Sequence, residues 1–292
     1  MAVLKRPGIH QRFIGRCVEV GLILGGWLAL RLRRARLTGG GLTAQTPLVS
    51  VLIPTHNRSE LLITRSLRSV LAQTYDNLEV IVCAHGCTDD TVKRVAGLGD
   101  ARVRVLIVPR HRLGYPATAA NHWLFGPVRP LNAGTKSAEG QIIALLGDDD
   151  EWVPEHLEQS IAVLRSSGAE WVSGWSTDID AEGHTTTNRG DKEGEHMVGP
   201  VATWVYASYL GFAKWNIHSW RKGWDRPNDI DLAKRFLRMG VRHANVSRVG
   251  VIWQPRPGEN LLGVAAYIEN PQMMLDRFSV KAPSPSKKSK KR

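Results

Sequence analysis

Apolar residues in the first half of the chain come in short β-rich runs, separated by stretches with helical spacing. Residues 48–53 (LVSVLI), 78–83 (LEVIVC), 103–108 (VRVLIV) and 142–146 (IIALL) are near-continuous apolar runs. That is the signature of strands buried on both faces. Between the first two, Leu62, Ile63, Leu67, Val70 and Leu71 recur at helical spacing, with Ser59 expected as N-cap. A helix is predicted around 91–96, capped by Thr88 or Asp89. A further short helix is predicted to start at Asn132, and another over 155–165, with Pro154 near its start. This β-α-β-α alternation implies a mostly parallel central sheet with helices on both faces. Residues 109–131 read as a long Pro- and Gly-rich connection, and 176–199 as an exposed polar excursion. The second half adds a strand near 170–173 and a strand over 246–253. It also adds a helix over 229–239, with Ile230, Ala233, Phe236 and Leu237 facing inward.

Before the first strand, an uncharged run at 20–30 (VGLILGGWLAL) follows Arg16 and precedes Arg31, Arg33, Arg34 and Arg36. The run is too short to span a bilayer. It suits either an element lying in a membrane interface, with arginines on anionic lipid, or a helix docked on the body. Charge supports this division. The chain of 292 residues carries a net +12, but residues 1–37 hold +7, the tail 281–292 holds +6, and 38–280 sums to −1. A neutral body excludes a nucleic-acid groove built into the fold. The apolar-free tail reads as a disordered basic appendage. Three cysteines are too few for a disulfide framework, and Cys83 and Cys87 read as packed thiols.

The candidate chemistry lies where the strands end, since open parallel sheets bind ligands beyond their carboxyl edges. His56-Asn57-Arg58, His85-Gly86-Cys87-Thr88-Asp89 and Asp148-Asp149-Asp150 all fall there. Three adjacent carboxylates after a buried strand repel one another, and a hard divalent cation with oxygen ligands relieves that repulsion. The aromatic stretch 201–224, with Trp204, Tyr206, Tyr209, Phe212, Trp215, Trp220 and Trp224, reads equally as core or as an acceptor surface. Tyr115 and Trp123 stand ready to wall a pocket.

In order and spacing these pieces resemble the family 2 glycosyltransferases. The matching segments are Pro54-Thr55-His56-Asn57-Arg58, Gln73-Thr74-Tyr75, Thr88-Asp89-Asp90-Thr91, Asn132-Ala133-Gly134 through Gly140, and Asp148-Asp149-Asp150 with Pro154 and Leu157-Glu158. Pro227-Asn228-Asp229-Ile230-Asp231-Leu232 matches the family's acidic motif in the second half. The resemblance implies an α/β fold of GT-A type, with a Rossmann-like nucleotide-binding half at 48–158 and an acceptor half at 159–280. It implies an inverting transfer from a nucleotide-diphosphate-sugar to an acceptor hydroxyl. Pro54, Thr55, Asn57, Arg58, His85, Asn132, Lys136 and Asp148 are then the donor-binding set. Asp149, with Asp150, would hold Mg²⁺ or Mn²⁺ on the diphosphate. Asp229 would be the general base, ionised because it starts a helix. Trp220, Trp224 and Asn228 are the acceptor-side candidates. The acceptor is a glycan, lipid or protein, and the expected place is the cytoplasm, peripheral on the membrane.

Three positions depart from the family pattern. His85 stands before Gly86 where an Asp is usual, Gly147 replaces the first Asp of the metal motif, and Arg256 stands where a His is common. Arg256 binds no metal but pairs with phosphate. These departures keep two alternatives open: a non-catalytic nucleotide-sugar-binding scaffold at the membrane, and a nucleotidyltransferase. The second lacks a Gly-rich loop ending in Lys after the first strand.

Overall fold

The computed structural model describes residues 7–36, 45–110, 113–189, 198–222, 227–257 and 259–261. The basic tail 281–292, Trp224 and residues 190–197 of the polar excursion lie outside the described residues.

In chain order the first half runs α1 (Ile9–Arg36), β1 (Val49–Thr55), α2 (Ser59–Leu61) and α3 (Arg68–Leu71), joined by a π-helical turn at Leu62–Leu67. It continues with β2 (Leu78–His85), α4 (Thr91–Ala96), β3 (Val103–Val108), α5 (Ala119–Phe125), α6 (Val128–Ser137) and β4 (Ile142–Leu145). The second half holds β5 (Glu151–Trp152), α7 (His156–Ser167), β6 (Trp171–Ile179), β7 (Thr185–Asn188), β8 (Val205–Ala207), α8 (Asn228–Met239) and β9 (His243–Trp253). One sheet has the order β3-β2-β1-β4-β8-β6-β9-β5, and β7 pairs with β6 at its side. β1, β2, β3 and β4 pair in parallel. β8 runs antiparallel between β4 and β6 and so joins the two halves.

Strand periodicity builds two cores, one on each face of the sheet. Along β1, Val49, Val51 and Ile53 enter one core with Val80, Val82, Ile142 and Ala144, under the helices that carry Leu67, Val95 and Leu157. Leu52 turns to the other face with Ile81, Cys83, Ile143 and Leu145, under Phe125, Val128, Leu131 and Phe236. The period of two makes each run serve both layers, which is why the runs are apolar throughout.

Several expected boundaries shift. β1 continues through Pro54 to Thr55, paired with Cys83 and Ala84. Ser59 does not cap its helix; its hydroxyl donates to Asp90 Oδ1 at 2.6 Å. The long connection contains α5, and α6 starts at Val128 instead of Asn132. α8 buries Leu232, Ala233, Phe236 and Met239, while Ile230 and Leu237 are exposed. The helix is rotated from its apolar pattern because Asp231 and Arg235 are drawn inward as an ion pair, Nε to Oδ2 at 2.8 Å.

The aromatic stretch is mostly core. Trp204 sits 4.7 Å from Trp171 between ring centroids, and Trp171 sits 5.3 Å from Phe236. Trp204, Tyr206 and Trp215 are buried. The 20–30 run belongs to a much longer helix of 28 residues, long and apolar enough to cross a membrane by length and composition. Its inner face docks on the body.

Candidate active site

The carboxyl ends of β1, β2 and β4 share one edge of the sheet, because parallel neighbours end together. Thr55, His85 and the acidic turn after β4 meet there. The Thr55 hydroxyl donates to Asp148 Oδ2 at 2.8 Å. Arg58 Nη1 lies 2.8 Å from Asp148 Oδ1 and 2.7 Å from Asp149 Oδ2. Arg256, brought in from beyond β9, also reaches Asp149 Oδ2, at 3.1 Å, and its Nε pairs with Glu259 at 2.5 Å. Two guanidinium groups therefore offset the three adjacent carboxylates. Gly147 permits this arrangement: a Cβ there would lie 2.4 Å from Asp150 Oδ2. The missing first acid of the turn leaves the space into which the Asp150 carboxylate folds. Burial, and the nearby charges of Asp149 and Asp148, push the Asp150 carboxyl up.

A cavity of about 140 Å³ opens on this cluster, lined by Pro54, Thr55, Arg58, His85, Asp148 and Asp149 among others. His85 and His122 line it as neutral imidazoles. Burial first, then the Arg110 charge, holds His85 and His122 down at about 4. His56 Nδ1 donates to the His85 carbonyl at 2.8 Å, and its Nε2 accepts from Arg110 at 3.2 Å. A second cavity of about 190 Å³ is lined by Pro54, Trp123, Gly147, Asp150, Asn228 and Asp229. A third, of about 440 Å³, takes in Trp123, Asp149, Asp150, Asp229, Arg256 and Glu259. Trp123 lines all three. They form one cleft with the acidic turn at its middle and Asp229 on its far wall.

The two acids of the second-half motif separate here. Asp229 opens on the cleft, whereas Asp231 is buried and clasped by Lys222, at 2.5 Å, and Arg235. Burial pushes the Asp229 carboxyl above the usual range, although the Ile230 amide donates to its Oδ1 at 2.9 Å. The helix start was expected to favour the ionised form; desolvation outweighs it.

Four expected site residues lie elsewhere. Asn57, at φ 52°, accepts from the Thr88 amide at 2.8 Å, so it braces the loop after β2 and does not line the cleft. Asn132 exchanges hydrogen bonds with the Trp215 backbone at 2.9 and 3.0 Å, in the middle of α6. Lys136 is exposed in the last turn of α6. Because that helix begins four residues earlier than expected, Pro127 and Pro130 reach the cavity in their place. Trp220 donates to the Gly114 carbonyl at 3.0 Å and pins the long connection. Asn228 does line the cleft, its amide donating to the Leu124 carbonyl. His122, Trp123 and Pro127 join the site from α5 and the start of α6, a region read as loop. Cys83 is buried, its thiol pushed up to about 12 by burial, and Cys87 lies against the Thr55 carbonyl at 3.7 Å; both are packed thiols.

The sheet, its strand-end cleft and the acidic turn answered by arginines have the arrangement of a GT-A fold. The chain belongs to glycosyl transferase family 2, whose family model matches residues 50–203. Membership of this family favours a glycosyltransferase enzyme over the nucleotidyltransferase and non-catalytic alternatives. It is 32% identical over 127 residues to the UDP-Glc:alpha-D-GlcNAc-diphosphoundecaprenol beta-1,3-glucosyltransferase WfgD of Escherichia coli, covering 44% of this chain and 45% of that one. It is 30% identical over 126 residues to the succinoglycan biosynthesis protein ExoO of Rhizobium meliloti, covering 43% of this chain and 32% of that one. The chain thus spans less than half the length of these two relatives. Among solved structures, S. aureus TarS 1-349 in complex with UDP superposes with a TM-score of 0.53 at 15% identity, over 78% of this chain and 64% of that one.

Proposed function

We propose that the protein transfers a sugar from a UDP-sugar to a hydroxyl of a lipid-linked glycan, with inversion, peripheral on the cytoplasmic face of a membrane. The carrying observation is the cleft itself. The cluster of Thr55, Arg58, Asp148 and Asp149 shares the cleft with Asp229, the carboxylate at the start of α8. The choice of UDP and of a lipid-linked acceptor rests on the likeness to WfgD. Residues 48–158 serve as the donor half and 159–280 as the acceptor half.

In this reading the diphosphate enters the arginine-flanked end. Arg58 and Arg256 offset its charge, each as a charge-assisted donor. His85, kept neutral, offers the base edge a hydrogen bond and no charge. Asp229 takes the proton from the acceptor oxygen as that oxygen attacks the anomeric carbon from the face opposite the leaving diphosphate. A carboxylate raised toward the working pH is a stronger base in its ionised form.

The residues present fit one divalent cation. Asp149 and Asp150 line the same cavity, and a Mg²⁺ site commonly needs only one or two carboxylates beside substrate phosphates. Bound there, Mg²⁺ or Mn²⁺ would stabilise charge on the departing diphosphate.

The test is a panel of nucleotide-sugars scored for transfer and for donor hydrolysis, with and without Mn²⁺. Turnover of a UDP-sugar is the expected result. Preference for another nucleotide overturns the donor assignment, and absence of both transfer and hydrolysis across the panel overturns the reading.

A further inference from the structure

α1 has two unlike sides. Its inner side carries Gly15, Glu19, Gly26 and Leu30, all buried against the body. Gly26 permits contact with Met239 of α8, since a Cβ there would lie 2.1 Å from the Met239 sulfur. Glu19, the single acid in residues 1–37, reaches Lys222 Nζ at 3.1 Å and Arg238 Nη1 at 2.6 Å. Near the far end of the helix, Arg34 pairs with Glu170 and donates to the Gly240 carbonyl at 2.8 Å.

The outer side carries Ile9, Phe13, Val20, Leu24, Trp27 and Leu28, every one exposed. Steps of four, seven, four, three and one residues hold them to one stripe along five turns of a helix about 42 Å long. Phe13 is 65% and Leu24 67% exposed. A continuous apolar stripe of this kind on a folded surface marks a contact, not chance exposure. Arg12, Arg16, Arg31, Arg33 and Arg36 are exposed along the helix, with the Arg31 guanidinium 4.6 Å above the Trp27 ring and the Arg33 guanidinium 5.2 Å over Phe212 of the body. Apolar stripe, interfacial Trp and exposed arginines match the layers of an anionic bilayer surface.

We infer that α1 lies flat in the interface of an anionic membrane, its outer stripe in the lipid, while its inner side stays clamped to α8. The helix has the length and composition to cross a bilayer. Crossing would carry Glu19 into hydrocarbon and strip Lys222 and Arg238 of their partner. The docked, in-plane placement keeps every one of those ion pairs and still covers the stripe. Because α8 opens with Asp229 and ends against α1, the lipid-facing helix and the base-bearing helix move as one unit. The cleft is held at a set height over the bilayer. This deepens the lipid-linked acceptor reading, but vesicle binding can be read with no sugar nucleotide present, so the two fail separately.

The full chain is floated with vesicles of phosphatidylcholine, alone or mixed with phosphatidylglycerol, beside the double variant Leu24→Glu, Leu28→Glu. Both positions are exposed, so the variant is expected to keep its circular dichroism and thermal midpoint. The wild type is expected to float with the anionic vesicles and to be released by alkaline carbonate. The variant is expected to lose about tenfold or more in partitioning. A fluorophore on the exposed Cys17, with Cys17→Ser as the labelling control, is expected to shift to the blue on binding. Undiminished flotation of the variant would overturn the inference. So would retention through carbonate, which signifies a spanning helix. A dimer in light scattering that the variant abolishes would also overturn it, since a second copy would then cover the stripe.

Discussion

Asp231→Ala is expected to unfold the protein at a much lower temperature while leaving the chemistry of the cleft in place. Asp231 is fully buried, with Lys222 Nζ at 2.5 Å and Arg235 Nε at 2.8 Å, and both cations are themselves buried. Removing the carboxylate leaves Arg235 with the Lys214 carbonyl, at 2.8 Å, and Lys222 with Glu19 alone. Breaking a buried pair by deleting one partner costs about 3–5 kcal/mol, because a charge remains in a low-dielectric site. Against a total stability of about 5–15 kcal/mol that is a large fraction. At roughly 2–4 °C per kcal/mol for a domain of this size, the midpoint should fall by about 6–20 °C. Thermal unfolding followed by circular dichroism reads it directly. The control is Asp231→Leu with Lys222→Met, which removes opposite charges together. Replacing a buried pair by apolar groups is commonly neutral or better, but Arg235 stays buried with only the Lys214 carbonyl, so the double variant should recover only part of the loss. A fall of under about 2 °C for Asp231→Ala would refute the reasoning. It would mean that solvent reaches the cluster and that α8 is not rotated by its ion pairs.

The neighbouring acid should behave oppositely. Asp229→Asn is expected to keep the thermal midpoint and donor binding and to lower kcat by about 10²–10⁴-fold; full turnover would remove it as the base. Since the base works only when deprotonated and burial raises its pKa, kcat/KM should fall as pH drops through a value above the ordinary aspartate range. An acid limb at or below that range would contradict the assignment. Arg256→Ala, which removes one of the two cations on Asp149, is expected to weaken UDP binding by about tenfold in calorimetry. Unchanged affinity would place Arg256 outside the diphosphate's reach. Trp123→Ala, at the wall shared by all three cavities, should raise KM for both donor and acceptor, as read from initial rates.

The strands of the first half and their parallel pairing were legible in the residues alone. The run 48–53 alternates toward two cores, and only a sheet covered on both faces tolerates that; 103–108 instead forms the edge strand β3, where Ile107 is exposed. The motifs Pro54–Arg58 and Asp148–Asp150 fell at strand ends because turn chemistry and apolar periodicity are local properties. Residues 109–131 resisted because α5 and α6 are short and lean on tertiary contacts, so α5 reads as loop in the sequence and the start of α6 falls there at Asn132 instead of Val128. The Trp-rich stretch resisted for a different reason. Composition cannot say whether an aromatic faces a core or a cleft, and β8 carries Tyr206 into the sheet.

What one-dimensional order determined, then, was the sheet and the three polar clusters at its edge, since both follow from spacing between near neighbours. The tertiary structure decided which of Asp229 and Asp231 meets the cleft, by rotating α8 so that Lys222 and Arg235 bury the second. It also brought Arg256 onto Asp149 across 107 positions of chain and folded Asp150 into the space that Gly147 leaves. It gave α1 an inner face for the body and an outer face free for lipid. Each of these is a choice between groups of the same chemistry, and only the low-dielectric surroundings and the partner that reaches them tell such groups apart.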